Sequence, residues 1–171
     1  MAADRPAGQL TSSRGRGAVV GLSVVLVLLL AAAGVLGWQV YRYRAEEGRR
    51  QEILAAARQM VVNFTTLDYQ HGRRDLDRVL EASTGDFKQE FSARAPQLEQ
   101  LVTENKTVSK GQVLEAGIVS YDDDSARVLV VADSTVTNKA VPQGQERHYR
   151  IQLDLRREGD RWLTSNLEFV G

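Results

Sequence analysis

The chain has 171 residues, 22 Lys and Arg against 22 Asp and Glu, and no cysteine. Balanced charge leaves no electrostatic footprint for nucleic acid and no polybasic patch for a membrane surface, and the lack of cysteine excludes disulfides, thiolate metal sites and cysteine nucleophiles together. The segment after Arg44 is enough for one soluble domain of ordinary size.

Residues 1–17 are rich in Gly, Ser and Arg and hold too little apolar side chain to fold, so they are expected to form a disordered cytoplasmic tail. From Ala18 to Tyr41 no residue is charged. As a helix that stretch spans roughly 35 Å, against a bilayer core of about 30 Å. Ala31, Ala32 and Ala33 offer small residues to a signal peptidase, and Arg14 and Arg16 supply a positive n-region. Signal h-regions, however, stop after about 7 to 15 apolar residues, whereas here apolar sequence runs on through Val35, Leu36 and Trp38. The reading is an uncleaved signal-anchor transmembrane helix over 18–41. Trp38, Tyr41 and Tyr43 are its membrane-interface anchors, with Arg42 and Arg44 at headgroup level. Arg5, Arg14 and Arg16 precede the span and Arg42, Arg44, Arg49 and Arg50 come after it, so charge bias alone does not orient it. Gly17 and Gly21 form a GxxxG pair, and Ala33 and Gly37 a second small-xxx-small pair. Such spacing allows another membrane helix to approach closely, although glycine is common in membrane helices generally and the two pairs fall on different faces.

Residues 42–52 read as a juxtamembrane helical linker leading into a domain over 53–171. Ile53, Ala57, Met60, Val61, Phe64 and Leu67 recur at helical spacing between Arg, Gln and Glu. They predict one amphipathic helix from near Glu46 to about Tyr69, with a weak point at Gly48 and a stop at His71-Gly72. Its apolar stripe either covers the domain core or makes a coiled-coil contact with a partner. Asp75 is the candidate N-cap of a helix over Leu76 to Ala82, and Thr84 or Asp86 of a longer one through Phe87, Phe91, Leu98 and Leu101. Pro96 lies inside that stretch and predicts a kink or a break.

After Lys106 the period changes. β-Branched residues accumulate, and Tyr149, Ile151, Leu153 and Leu155 alternate with Arg, Gln and Asp. Four antiparallel strands are expected, over about 107–121, 126–137, 146–157 and 161–170. "DDDS" at Asp122 to Ser125 and "REGD" at Arg157 to Asp160 are hairpin turns, "NKAVPQGQ" at Asn138 to Gln145 is a longer loop, and Gly111 or Gly117 is placed to bend the first strand. Helices first and an antiparallel sheet afterwards define an α+β fold, about three helices on one face of a curved four-stranded sheet. Phe64, Leu67, Leu80, Phe87, Phe91, Val119, Val130, Ile151, Leu153 and Trp162 are the expected core.

Residues able to do acid–base chemistry are scattered. Asp68, Tyr69, His71, Asp133, His148 and Tyr149 form no recognisable constellation. The sequence has no phosphate-cradling glycine loop, no serine-centred elbow and no zinc spacing, and the carboxylates of Asp122 to Asp124 read as a solvated hairpin tip. The expectation is a non-catalytic protein with no metal and no cofactor.

A membrane helix followed in order by "ILAAARQMVVNFTTLDY", "DLDRVLEASTGDFKQEF", "SKGQVLEAGIVSY", "ARVLVVAD" and "EGDRWLTSNLEFV" resembles the Mce-associated membrane proteins of mycobacteria and related actinobacteria. The resemblance runs from about Ala18 to the end and lies in the order of the segments, none of which is a chemical signature alone. It implies an extracytoplasmic domain of the nuclear transport factor two-like kind, a cone of helices over a curved sheet, similar to the soluble domain of an inner-membrane scaffold of type IV secretion systems. It further implies a cell-membrane protein with its N-terminus in the cytoplasm. The implied role is that of an accessory or scaffold subunit that stabilises or assembles an Mce lipid-import complex, with Mce transporter proteins and the permease as partners. Two other readings stay open: a lipid- or sterol-binding carrier with a hydrophobic ligand in the cone, and an assembly scaffold of a type IV secretion-like system. Exposed strand edges, the loop at Asn138 to Gln145 and the first helix are the expected docking surfaces, and homo-oligomerisation stays open.

Overall fold

The structure, a computed structural model, describes residues 13–171 in backbone and residues 33–171 in side chain, apart from Val35, Val40 and Ala45. Residues 1–12 of the expected tail and the side chains of the expected span over 18–32 therefore lie outside the described residues. Among the described residues no helix is long and apolar enough to cross a membrane. The chain divides into two units, Met1–Glu46 and Glu47–Gly171. Helix α1 runs over Ser13–Thr65 and supplies residues to both.

The second unit continues with strand β1 (Leu67–Asp68), helices α2 (Gly72–Glu81) and α3 (Gly85–Glu104), and strands β2 (Val108–Tyr121), β3 (Ser125–Thr137), β4 (Gln145–Glu158) and β5 (Arg161–Phe169). The strands lie in chain order, each antiparallel to the next, so the sheet is a plain meander. The α+β class is as expected, but the sheet has five strands where the sequence predicted four. The additional strand occupies residues expected to finish the first helix. That helix ends at Thr65, whose hydroxyl donates to the Val61 carbonyl at 2.6 Å. Beyond it the backbone finds better partners outside the helix: Leu67 and Asp68 pair with Ser109 and Val108, and the Tyr69 N–H donates to the Thr107 carbonyl at 3.0 Å.

The next helix boundary also differs. Gly72 opens α2 where it was expected to stop a helix, and the N-cap position falls on His71, which makes no side-chain cap. Asp75 lies within the first turn and is buried. Its carboxylate accepts from the Asp68 N–H at 2.9 Å and from the Arg78 guanidinium at 2.7 Å, so it ties β1 to α2 instead of capping. Of the two candidates, Thr84 holds the N-cap position of α3, in extended backbone, but makes no side-chain cap because its hydroxyl is turned to Glu158. Neither Gly48 nor Pro96 interrupts its helix.

The core is made where the C-terminal part of α1 crosses the sheet. Ile53, Ala57, Met60 and Val61, spaced to share one helix face, meet Val128, Val130, Ile151, Leu153 and Leu155 in a solvent-free cluster that Trp162 and Val79 complete. β3 shows the layering most plainly. Ala126, Val128, Val130 and Ala132 point inward, while Arg127, Leu129 and Val131 face solvent.

β2 does not alternate so simply. Its inward residues are Ser109, Gly111 and Val113, then Ala116 and Ile118, then Tyr121, and each step of three is a bulge in the pairing with β3. A bulge adds one residue, reverses the parity of the residues beyond it and increases the local twist. Val119, expected in the core, sits at the second bulge and is 57% exposed. Val130, Ile151, Leu153 and Trp162 are buried as expected, whereas Phe64, Phe87 and Phe91 pack at the margin of the cluster. Leu67 and Leu80 are half-buried. Gly111, one of the two glycines expected to bend β2, marks the close passage of that strand against Thr65; Gly117 stands in open space. The hairpins at Asp122 to Ser125 and around Gly159, whose φ of 64° suits the tight turn, are both found.

Candidate functional site

An aromatic chain runs along one margin of the domain. Phe87 and Phe91, one turn apart on α3, have ring centroids 5.9 Å apart. Phe91 lies 6.3 Å from Phe64 at the end of α1, Phe64 lies 6.1 Å from Phe169 of β5, and Phe169 lies 5.9 Å from Tyr149 of β4. All four pairs are tilted, with centroids inside the range of about 4.5–7 Å for interacting aromatic rings. The four phenylalanine rings floor a groove of about 780 Å³, walled by Leu98 and Leu101 of α3 and Leu167 of β5. A second hollow of about 300 Å³, reaching Val136, Arg147 and Tyr149, shares Phe64, Leu98 and Leu101 with the first. The two adjoin along α3, with the three shared side chains lining both, beside the start of β4 and the end of β5.

The depression stays open because the apolar stripe of α3 is wider than the surface available to cover it. Val102 is buried, but Leu101 is 49% exposed and Phe169, at the end of β5, is 59% exposed. The rim is polar and graded. Asp86, Glu90 and Arg94 succeed one another at four-residue spacing along α3, placing acids at the Phe87 end and a cation nearer the waist. The centre of the domain, by contrast, is filled by Ile53, Met60, Val128, Ile151 and Leu153, all with no exposed surface. The cone centre, where the carrier reading placed a hydrophobic ligand, is thus filled by side chains, which argues against a ligand inside it.

The expected interface anchors Trp38, Tyr41, Arg42, Tyr43 and Arg44 are all exposed on α1, and the Arg42 guanidinium lies 5.1 Å from the centre of the Trp38 ring. That contact lies within the first unit. Of the expected helix-contact residues, Ala33 is exposed, and among the described residues a Cβ at Gly37 would meet nothing within 4 Å beyond its own helix backbone and chain neighbours. The surroundings of Gly17 and Gly21 lie outside the described residues.

The candidate acid–base residues are not brought together. Asp68 and His71 meet at 3.6 Å in the turn before α2. Asp133 and His148 face each other across β3 and β4 at 2.7 Å on the exposed side of the sheet, and this hydrogen bond, reinforced by the carboxylate charge, raises the pKa of His148 above its ordinary value. Tyr149 points to the opposite side, where its hydroxyl is 3.2 Å from that of Ser134. On the exposed side Arg127 donates twice to Asp154, at 2.7 and 3.2 Å; that hydrogen bond lowers the carboxyl's pKa, against the opposing effect of its partial burial. At the Asp122 to Ser125 tip, the Asp122 carboxylate accepts from the Asp124 and Ser125 amides, which lowers its pKa, while Asp123 pairs with Arg49 of α1. The tip therefore closes the turn and fastens it to the helix.

Sequence reasoning named Phe64, Phe87 and Phe91, but as core, and Leu98 and Leu101 only as part of the pattern of the third helix. Arg94, Arg147 and Phe169 were not singled out. The i, i+4, i+8 run of Asp86, Glu90 and Arg94 beside an aromatic stripe was the available signal, whereas nothing local distinguishes Phe169 from any strand terminus.

A five-stranded antiparallel meander covered on one face by helices, with α1 leading into it, is a fold shared with periplasmic domains of type IV secretion systems. An IcmL-like type IV secretion system protein from Legionella pneumophila subsp. pneumophila str. Philadelphia 1 superposes with a TM-score of 0.58 at 12% identity, over 71% of this chain and 91% of that one. The periplasmic domain of DotI gives 0.58 at 15% identity, over 69% and 92% of the two chains. CagV, a VirB8 homolog from Helicobacter pylori strain 26695, gives 0.56 at 6% identity, over 70% and 97%. At such identities the likeness is one of fold, and it agrees with the fold that the sequence resemblance implied. The chain belongs to the family described as uncharacterized protein Rv1363c/MT1408-like, whose model matches residues 17–171. The protein Rv1363c of Mycobacterium tuberculosis (strain ATCC 25618 / H37Rv) is 32% identical over 179 aligned positions, covering 99% of this chain and 69% of the relative.

Proposed function

We propose that this protein is a non-catalytic scaffold of the cell envelope, anchored by the helix over 18–41 with its second unit on the extracytoplasmic side, where it stabilises or assembles a larger complex. The observation that carries this reading is the fold shared with the periplasmic domains of an IcmL-like type IV secretion protein and of DotI. The apolar run from Ala18, ending in exposed Trp38, Tyr41 and Tyr43 with Arg42 and Arg44 beside them, supports the anchor. The more specific reading is an accessory subunit of an Mce lipid-import complex, with the transporter proteins and the permease as partners. It rests on the order of sequence segments and sits comfortably with a mycobacterial relative. The fold likeness favours a second reading, a scaffold of a type IV secretion-like assembly.

One experiment separates the readings. Tagged full-length chain is crosslinked mildly in native membranes, purified, and its partners identified by mass spectrometry. Mce proteins or the permease support the first reading, secretion components the second, and a chain recovered without envelope proteins overturns both. A reporter active only outside the cytoplasm, fused after Gly171, is expected to be active; silence reverses the topology.

A further inference from the structure

The aromatic depression beside α3 is not explained by packing, because it leaves large apolar side chains in water. Phe169 and Leu101 remain more exposed than core residues of their kind, and an exposed apolar patch bordered by polar residues marks a surface that binds something. Its form points to a small amphiphile. Each hollow, about 780 and 300 Å³, is of the size that accommodates small ligands, roughly 300 to 1,000 Å³. With Phe64, Leu98 and Leu101 lining both, they follow one another along α3 from Asp86 to Asn105, roughly 28 Å of helix at about 1.5 Å per residue. An elongated apolar floor suits an extended hydrocarbon tail better than a compact polycycle.

The charges determine which way round the tail lies. Arg94 lines the larger hollow and Arg147 the smaller, and among the described residues neither makes an ion pair. Asp86 and Glu90 border the larger hollow on the Phe87 side of Arg94. An anion is attracted to the arginine end and repelled from the acidic end, whereas an uncharged head gains from neither. We propose that the depression binds a single-chain amphiphile, its tail on Phe64, Phe87, Phe91 and Phe169 and its anionic head toward Arg94 and Arg147. The head is a carboxylate, as in a fatty acid, or a phosphate, as in a lysophospholipid, since arginine recognises both. This binding is separate from the scaffold reading and requires no protein partner.

The test uses full-length chain in phosphatidylcholine nanodiscs, free of detergent, with a diazirine-bearing palmitate as photoprobe. Labelled peptides are mapped by mass spectrometry, with unlabelled palmitate, palmitoyl lysophosphatidate or hexadecanol as competitor. The expected result is label on the α3 and β5 peptides, displaced by at least one anionic competitor at about tenfold lower concentration than hexadecanol needs, a difference of about 1.4 kcal/mol. Whichever of the two anions competes better names the source of the ligand. Arg94→Glu combined with Arg147→Glu should abolish that tenfold preference for an anion. Leu101→Glu, at a half-exposed site that tolerates a charge, should remove the label while leaving the melting temperature unchanged. Should it unfold the domain, the paired arginine variant still decides the matter.

Label confined to the first unit overturns the proposal, as does hexadecanol competing as well as the anions. If the probe leaves α3 unlabelled while a photo-crosslinking residue at Leu98 captures a protein in cells, the groove instead holds a partner's helix, and the proposal is again overturned.

Discussion

Gly111 is the position at which β2 passes nearest the end of α1. A Cβ there would lie 1.8 Å from Thr65 Oγ1, 2.6 Å from Thr65 Cβ and 3.2 Å from the Thr65 carbonyl carbon. The hydroxyl could rotate away, but the backbone carbon could not, so Gly111→Ala should cost about 1 to 3 kcal/mol, the usual range for an overpacked site. Urea denaturation measures it, with Gly117→Ala, which meets nothing within 4 Å, as the control expected to change little. The sequence offered both glycines as bends and contained no sign of which one faces another backbone; that depends on where α1 stops. His148 carries a different test. Its hydrogen bond to Asp133, with the charge of that carboxylate, raises its pKa in the folded protein. Its stabilising contribution is therefore complete below the unfolded value of about 6.5 and disappears as pH rises through the raised folded value. Glu146 reinforces the effect, and Arg147 and Arg150 are the cations nearest along β4. An NMR titration should find the imidazole above its ordinary pKa, and Asp133→Asn should bring it back down. An unshifted titration would mean that the pair does not persist in solution.

Among the elements, those with a strong period of their own were legible. Ile53, Ala57, Met60 and Val61 announce a helix face, and the alternation about Ile151 and Leu153 announces a half-buried strand. The features that escaped were settled between elements. β1 is a two-residue strand with no period to read, created by its pairing with Ser109 and Val108. The β2 bulges appear in sequence only as irregular alternation, and the side chains beyond each one exchange faces. Asp75 illustrates the same limit, because a carboxylate that accepts backbone N–H groups serves equally as a cap or, in this domain, as a buried tether. At Pro96 the local rule failed in the other direction. Proline in a helix interior removes a backbone hydrogen bond and crowds the preceding turn, yet α3 runs through it from Gly85 to Glu104. Its neighbours Phe91 and Val102 lie against the rest of the domain, so tertiary packing maintains a helix that proline weakens. Pro96 itself is exposed, so Pro96→Ala should stabilise the domain by about 1 to 3 kcal/mol. A raised melting temperature would confirm this. A lowered one would show that the proline sets a bend on which the packing of Phe91 depends.

At the scale of the whole molecule, the candidate site was only half legible. Its apolar residues were visible because hydrophobic periodicity is visible, but the same signal describes a core and a groove, and only exposure in the folded domain separates them. The division of the chain is testable in the same terms. Every residue of the buried cluster lies at Ile53 or beyond, and the contacts that fasten the start of this unit, Arg49 to Asp123 and Arg50 over the Tyr121 ring at 5.8 Å, also lie within Glu47–Gly171. A fragment of residues 47–171 is therefore expected to fold by itself, with a single cooperative urea transition and dispersed amide resonances. Removing a further short stretch should reverse that result. A fragment beginning at Val61 lacks Ile53, Ala57 and Met60, each wholly buried. Truncating one large core side chain costs about 2 to 5 kcal/mol, and two such losses, with the helical backbone that carries them, approach the roughly 5 to 15 kcal/mol that stabilises a typical domain. The sheet face lined by Val128, Val130, Ile151 and Leu153 would then lie open to water. The shorter fragment should collapse or aggregate without a cooperative transition. If it folded as well as the longer one, the sheet with α2 and α3 would have to form a sufficient core without α1, and that helix would not be the element that closes the domain.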